Sequence, residues 1–228
     1  MICPAVRPAR RKPIRSFVRV RFTYPVMLDV TERLVVIIGG GAVAVRKIKM
    51  LREAGATRVR VVAPHFHEQI PAEIERVQES YEPRHLDGSS LVYAATDSSA
   101  VNDQVVRDAR TRGVLVNRLD EGSPNGDFVT PAAWRQGEVV LAVSAGSAAL
   151  SIAIRDDLAA QLDDRHVRMS QVMAEMRPKI RDSGLGPQKR SAIFRDLATD
   201  DALDALAQRG ERGLHAWLAA RYPELKLQ

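Results

Sequence analysis

The sequence is short of several things, and each shortage removes a class of function. Its 228 residues contain one cysteine, Cys3. One thiol cannot form a disulfide within the chain, nor a cysteine-based zinc or iron–sulfur site. That suits a reducing compartment. No run of about 18 apolar residues occurs, so no membrane-spanning helix is expected. The N-terminal segment lacks the apolar stretch of a secretory signal, and a cytoplasmic protein is expected. There is no P-loop, no H-E-x-x-H and no G-x-S-x-G pattern. Phosphoryl transfer, zinc proteolysis and serine hydrolysis therefore have no support.

What is abundant is positive charge, with 34 Lys and Arg against 28 Asp and Glu, a net +6. The isoelectric point near 9.8 invites a nucleic-acid reading. The location of the charge argues against it. Arg7, Arg10, Arg11, Lys12, Arg15, Arg19 and Arg21 put seven bases and no acid into residues 1–22. Taking those seven from 34 leaves 27 bases against 28 acids, −1 for residues 23–228. Residues 1–22 read as a basic, disordered tail. Pro4, Pro8 and Pro13 would interrupt an amphipathic targeting helix there. Nucleic acid is not the expected partner.

At 45% hydrophobic, the chain can build a core. Leu34-Val35-Val36-Ile37-Ile38 is a continuous β-branched run, as in a strand buried on both faces. Helical spacing follows from Val43 to Ala54. Further strands read at Val59–Ala63, Leu91–Ala95 and Val114–Val116, with a helix at Val101–Arg112. Strands alternating with helices at these lengths imply a parallel α/β sheet. Phe128–Pro131 and Val139–Val143 read as two more strands, with Trp134–Glu138 between them and Gly137 as a turn residue. Ser144–Ala149 reads as a loop. From Leu150 the pattern is helical, broken at Gly184–Pro187, with later helices at Ser191–Gln208 and Leu214–Ala220.

Gly39-Gly40-Gly41-Ala42-Val43-Ala44 follows the first strand and opens a helix. It fits the dinucleotide pattern G-x-G-x-x-A. The first glycine permits a tight turn, the next in the pattern lets backbone approach a pyrophosphate, and the alanine allows close helix packing. The helix N-terminus would face the phosphates. The acid that usually grips the ribose at the end of the second strand is missing, since the chain reads Val62-Ala63-Pro64-His65. That rule therefore does not choose between NAD and NADP. His65-Phe66-His67-Glu68 reads as a surface loop, and no metal ligands are assigned. Asp120 is either a catalytic carboxylate or a turn carboxylate ahead of Gly122, Ser123 and Pro124.

Several segments together resemble one family. They are Gly39–Lys47, Glu53-Ala54-Gly55-Ala56, Val61-Val62-Ala63-Pro64, Ala94-Ala95-Thr96-Asp97 with Asn102, Asn117-Arg118-Leu119-Asp120, Asp127-Phe128 and Pro131-Ala132. From about Tyr24 onward the chain resembles the precorrin-2 dehydrogenase and sirohydrochlorin ferrochelatase family, the N-terminal module of siroheme synthase. The resemblance implies a Rossmann-like NAD-binding domain over 23–133, a small dimerisation segment over 134–170 and a C-terminal helical domain over 171–228. It implies a homodimer acting on tetrapyrroles. Precorrin-2 would be oxidised to sirohydrochlorin with NAD, and Fe²⁺ would then enter as a chelatase substrate.

The resemblance also assigns positions. Gly39, Gly40, Gly41, Ala42, Val43, Pro64, His65, Thr96 and Asp97 would contact NAD, and Asp120 would be catalytic. Dehydrogenation and metal insertion both release protons from the macrocycle, so both need a base within hydrogen-bond reach. Arg118 and Ser144 are expected to meet the polycarboxylate substrate, with Arg46, Lys47 and Arg135 as further cations. His166 stands where the family often has histidine. Ser144-Ala145-Gly146-Ser147-Ala148-Ala149-Leu150 departs from the family's Ser-(Ser/Thr)-Gly-Gly-x-Ser-Pro stretch. That departure keeps two alternatives open: a dehydrogenase without chelatase activity, and a non-catalytic NAD- or tetrapyrrole-binding regulator.

Overall fold

The computed structural model describes residues 24–120 and 126–225. The expected tail, and Gly122, Ser123 and Pro124, lie outside the described residues. The chain divides into two compact units, one ending at Val129 and the other beginning at Thr130.

The first unit runs β1 (Leu34–Ile38), α1 (Ala42–Glu53), β2 (Arg58–Val62), β3 (Glu75–Val77), a 3-10 turn (Pro83–Leu86), β4 (Leu91–Ala94), α2 (Ser99–Thr111) and β5 (Leu115–Arg118). The strands form one parallel sheet in the order β3-β2-β1-β4-β5. β1 lies at the centre with all five residues buried, which is why its sequence is apolar without alternation. Its side chains still alternate between faces. Val35 and Ile37 join Ala44, Ile48 and Leu51 of α1, whereas Leu34, Val36 and Ile38 join Val105, Val106 and Ala109 of α2. Burying each valine, leucine or isoleucine among them contributes about 1.5–3 kcal/mol. β1 therefore ties both helix layers to the sheet.

From β1 the chain builds outward through β2 to β3, then returns to the far side of β1 as β4. The strand order reverses between β1 and β4, and a sheet of this kind binds ligands outside the carboxyl ends at such a point. β3 has no clear signal in the sequence, being three partly exposed residues, Glu-Arg-Val, at an edge.

The second unit runs β6 (Ala132–Gln136), β7 (Val139–Val143), α3 (Ala148–Ala160), α4 (Asp164–Arg181), α5 (Pro187–Leu197) and α6 (Asp200–Arg221). Here two expectations are corrected. The strand expected at Phe128–Pro131 is instead Ala132–Gln136. Gly137, at φ +55°, starts a two-residue turn that pairs Gln136 with Val139 and Ala132 with Val143. That register fixes the strand, and Phe128 instead meets Tyr93 edge-on with ring centroids 5.6 Å apart. The helix expected over 191–208 is two helices. α5 ends at Leu197, and α6 restarts behind Thr199 with Asp200 and Asp201 in its positive first turn. α6 bends at Gly210, φ +64°, within the gap expected between the last two helices. Ile180, Ile193, Leu197, Leu214 and Leu218 form the fully buried centre of α4–α6. α4 runs unbroken through residues 170 and 171. Among the described residues no helix is long and apolar enough to cross a membrane.

Candidate functional site

The glycine loop sits where the strand order reverses, held on both sides. Gly39 donates its N–H to the Val62 carbonyl at 2.9 Å, and His67 donates to the Gly40 carbonyl at 2.7 Å. Gly39 adopts φ +117°, and a Cβ on it would stand 2.7 Å from the Ala95 carbonyl carbon and 3.0 Å from Thr96 N. A Cβ on Gly40 would come within 2.8 Å of the Ala63 methyl. Gly39 and Gly40 are therefore glycine because backbone packs against them. Gly41 differs, since nothing lies within 4 Å of where its Cβ would stand.

That open space faces the start of α1. Gly41 is the N-cap, provides no side-chain cap, and no acid stands in the first turn. The first N–H groups of a helix lack intrahelical partners and carry its positive dipole end. The residues present thus fit a dinucleotide pyrophosphate: a backbone cradle, open at Gly41, with unshared donors and no competing carboxylate. Ala42, Pro64, His65 and Asp97 are exposed, and Val43 is half-buried.

Thr96 is fixed from behind by Asn102 of α2, which is fully buried. The Asn102 Oδ1 accepts from Thr96 N at 3.1 Å and from Thr96 Oγ1 at 2.8 Å, while its Nδ2 donates to Thr96 O at 3.0 Å. Asn102→Ala would leave the half-buried Thr96 backbone groups without these partners. A loss of about 2–3 kcal/mol in urea unfolding is expected. A change below the fitting error of the midpoint would contradict it.

Asp120 stands just past β5, and Leu119 N donates to the Ala94 carbonyl at 2.9 Å, so it shares the sheet edge with the Thr96 loop. Its carboxylate meets a guanidinium fork: Arg118 Nε reaches Oδ1 at 2.5 Å and Nη2 reaches Oδ2 at 2.7 Å. Arg118 holds the Asp120 carboxyl below the usual carboxylate range, against an opposing effect of burial, and Asn102 lowers it further. Asp120 is therefore held in its charged form at neutral pH.

The structure places Arg118 differently from the expected substrate contact. Its side chain is only 3% exposed, and its other contacts are on α2, to Asp103 and, at 2.7 Å, to Ser99 Oγ. Ser99 and Asp103 lie four apart on α2 and so share one helix face. That spacing was the available sequence signal for two site residues that motif reading misses. Lys47 lies over the Tyr93 ring, 5.5 Å from its centroid, and burial followed by the neighbouring Arg46 charge lowers its pKa. Ser144, Arg135 and His166 are exposed in the second unit. Among the described residues no three His, Cys, Asp or Glu side chains are grouped to hold a metal ion.

Comparison with known proteins agrees with this geometry. A family model described as "Putative NAD(P)-binding" matches residues 26–132. The siroheme synthase of Nitrosococcus oceani is 36% identical over 178 residues, 75% of this chain and 37% of that protein. The siroheme synthase of Photobacterium profundum is 37% identical over 163 residues, 68% of this chain and 34% of that protein. The chain thus spans about a third of the length of these curated relatives. The solved structure titled "SirC, precorrin-2 dehydrogenase" superposes with a TM-score of 0.69 at 24% identity, covering 87% of this chain and all of that one, and so shares its fold. On these matches, the chain belongs to the family of the siroheme synthase N-terminal module.

Proposed function

We propose that this chain oxidises precorrin-2 to sirohydrochlorin, with NAD⁺ as hydride acceptor and Asp120 as proton acceptor. One juxtaposition carries the reading: a phosphate cradle open at Gly41 and a charged carboxylate share the carboxyl edge of one sheet. The reaction removes a hydride and a proton, and a base held ionised beside the cofactor cleft suits the second. Gly39–Val43 would hold the pyrophosphate, while Thr96, Asp97, Pro64 and His65 would line the cofactor's path. Ser144 would meet the substrate. Fe²⁺ insertion into sirohydrochlorin releases two pyrrolic protons, and we extend the proposal to that second step with the same carboxylate.

The test is purified protein with precorrin-2 and NAD⁺, followed by NADH absorbance and the sirohydrochlorin spectrum. Folded protein that binds NAD⁺ without turnover would sink the enzyme reading in favour of a regulator. Adding Fe²⁺ to sirohydrochlorin tests the second step. No acceleration over the spontaneous reaction would restrict the protein to dehydrogenation.

We also propose a homodimer formed through residues 134–170. The supporting observation is on α3, where Leu150, Ile154 and Leu158 recur every four residues and all are exposed. A monomer in sedimentation equilibrium at assay concentration would reject it.

A further inference from the structure

We infer that Arg118 is a positioning residue for Asp120: braced by Asp103 and Ser99 of α2, its buried guanidinium fixes where the carboxylate stands and leaves the free lone pairs of that carboxylate for the substrate proton. The inference rests on the proposed role of Asp120 as proton acceptor and adds to it a residue that does not itself touch substrate.

The donor inventory supports it. A guanidinium has five N–H donors in a rigid fork. Four are engaged here, two on Asp120, one on Asp103 and one on Ser99. A group so occupied has little left for a substrate carboxylate. The carboxylate of Asp120 has about four lone-pair sites. The fork takes two of them, Asn102 contributes a further bond, and the side chain stays 20% exposed. Bidentate pairing removes the rotational freedom that a solvated aspartate would have.

The second carboxylate explains how the arrangement is held. Asp103 is 46% exposed, so it is solvated at the outer side of the buried cation. It anchors Arg118 to α2 on the side away from Asp120. Among the described residues, the charged and polar groups around Asp120 are Arg118 from β5 and Asn102 from α2, with Asp103 and Ser99 reaching it through Arg118. Arg118 favours the ionised form of Asp120, and activity that needs this form falls as pH drops through its pKa. Removing the guanidinium must move that acid limb to higher pH.

Two readouts test this in the full chain. The first needs no turnover: a ¹³C NMR titration of protein labelled at aspartate carboxyls, with the Asp120 resonance identified by its loss in Asp120→Asn. The second is the pH profile of precorrin-2 oxidation. In Arg118→Met, the Asp120 titration and the acid limb should both move to higher pH, and kcat should fall roughly 10²-fold with KM for NAD⁺ unchanged. Arg118→Lys keeps the charge without the fork, so the titration should return toward wild type while kcat stays reduced. An unmoved Asp120 titration in folded Arg118→Met would overturn the inference, as would a Lys variant with wild-type kcat. A titration that moves without the acid limb would instead overturn Asp120 as the proton acceptor.

Discussion

Asp120→Asn should lower precorrin-2 oxidation by roughly 10²–10⁴-fold, the usual contribution of a positioned base. NAD⁺ affinity should stay near wild type, because the glycine cradle is held by backbone contacts and Asn102 keeps its own bonds to Thr96. Folding should survive for a local reason. The amide keeps an oxygen for the Arg118 fork, and Asp103 still pairs with the buried guanidinium. Only a group able to take a proton is lost. Stopped-flow NADH formation at saturating NAD⁺ is the measurement, with melting and NAD⁺ titration as controls. Near-normal turnover in a folded variant would remove Asp120 from the chemistry.

The second large effect lies in the glycine loop, where neighbouring residues should fail in different ways. Gly39→Ala forces a side chain onto φ +117° and into the Ala95–Thr96 backbone. Strain at such a φ costs about 1–3 kcal/mol, and the collision adds a further 1–3 kcal/mol or so. A melting temperature lower by roughly 10 °C or more is expected for a unit of this size. Gly41→Ala meets nothing, and its extended backbone, φ −87° and ψ −167°, suits any residue. Its stability should stay within about 0.5 kcal/mol of wild type. Its NAD⁺ affinity should nevertheless fall about tenfold or more, equivalent to about 1.4 kcal/mol, because the new methyl would occupy the opening. Calorimetric melting and NAD⁺ titration separate the two. Wild-type NAD⁺ binding by Gly41→Ala would contradict the cradle.

Where sequence and structure agree, the physics is local. The Leu34–Ile38 run could only be a strand with both faces covered, and three glycines after it could only be a tight turn into a helix. The second strand's missing acid was equally plain. Where they differ, the deciding contact is distant in sequence or a matter of register. Trp134 joins a strand because Gly137 sets the pairing, which apolar pattern alone does not show. β3 exists because Arg60, Val61 and Val62 offer it a partner. By sequence, Arg118 reads as a cation for the polycarboxylate substrate. Its burial depends on α2 bringing Ser99 and Asp103 across to β5.

The return of the chain at Asp127 has a consequence for the protein's solution behaviour. Asp127 N donates to the Val116 carbonyl at 2.7 Å, and its Oδ2 accepts from Val116 N at 3.2 Å, while Arg110 braces the same carboxylate. β5 is an outer strand, and an outer strand with vacant donors and acceptors is a template for another molecule's chain. Here the Asp127 side chain and backbone already occupy the Val116 donor and acceptor in the middle of that template. The opposite margin, β3, is only three residues long and carries Glu75 and Arg76. Both margins are thus unsuited to strand addition, so a sheet rich in valine and isoleucine stays resistant to edge-to-edge aggregation.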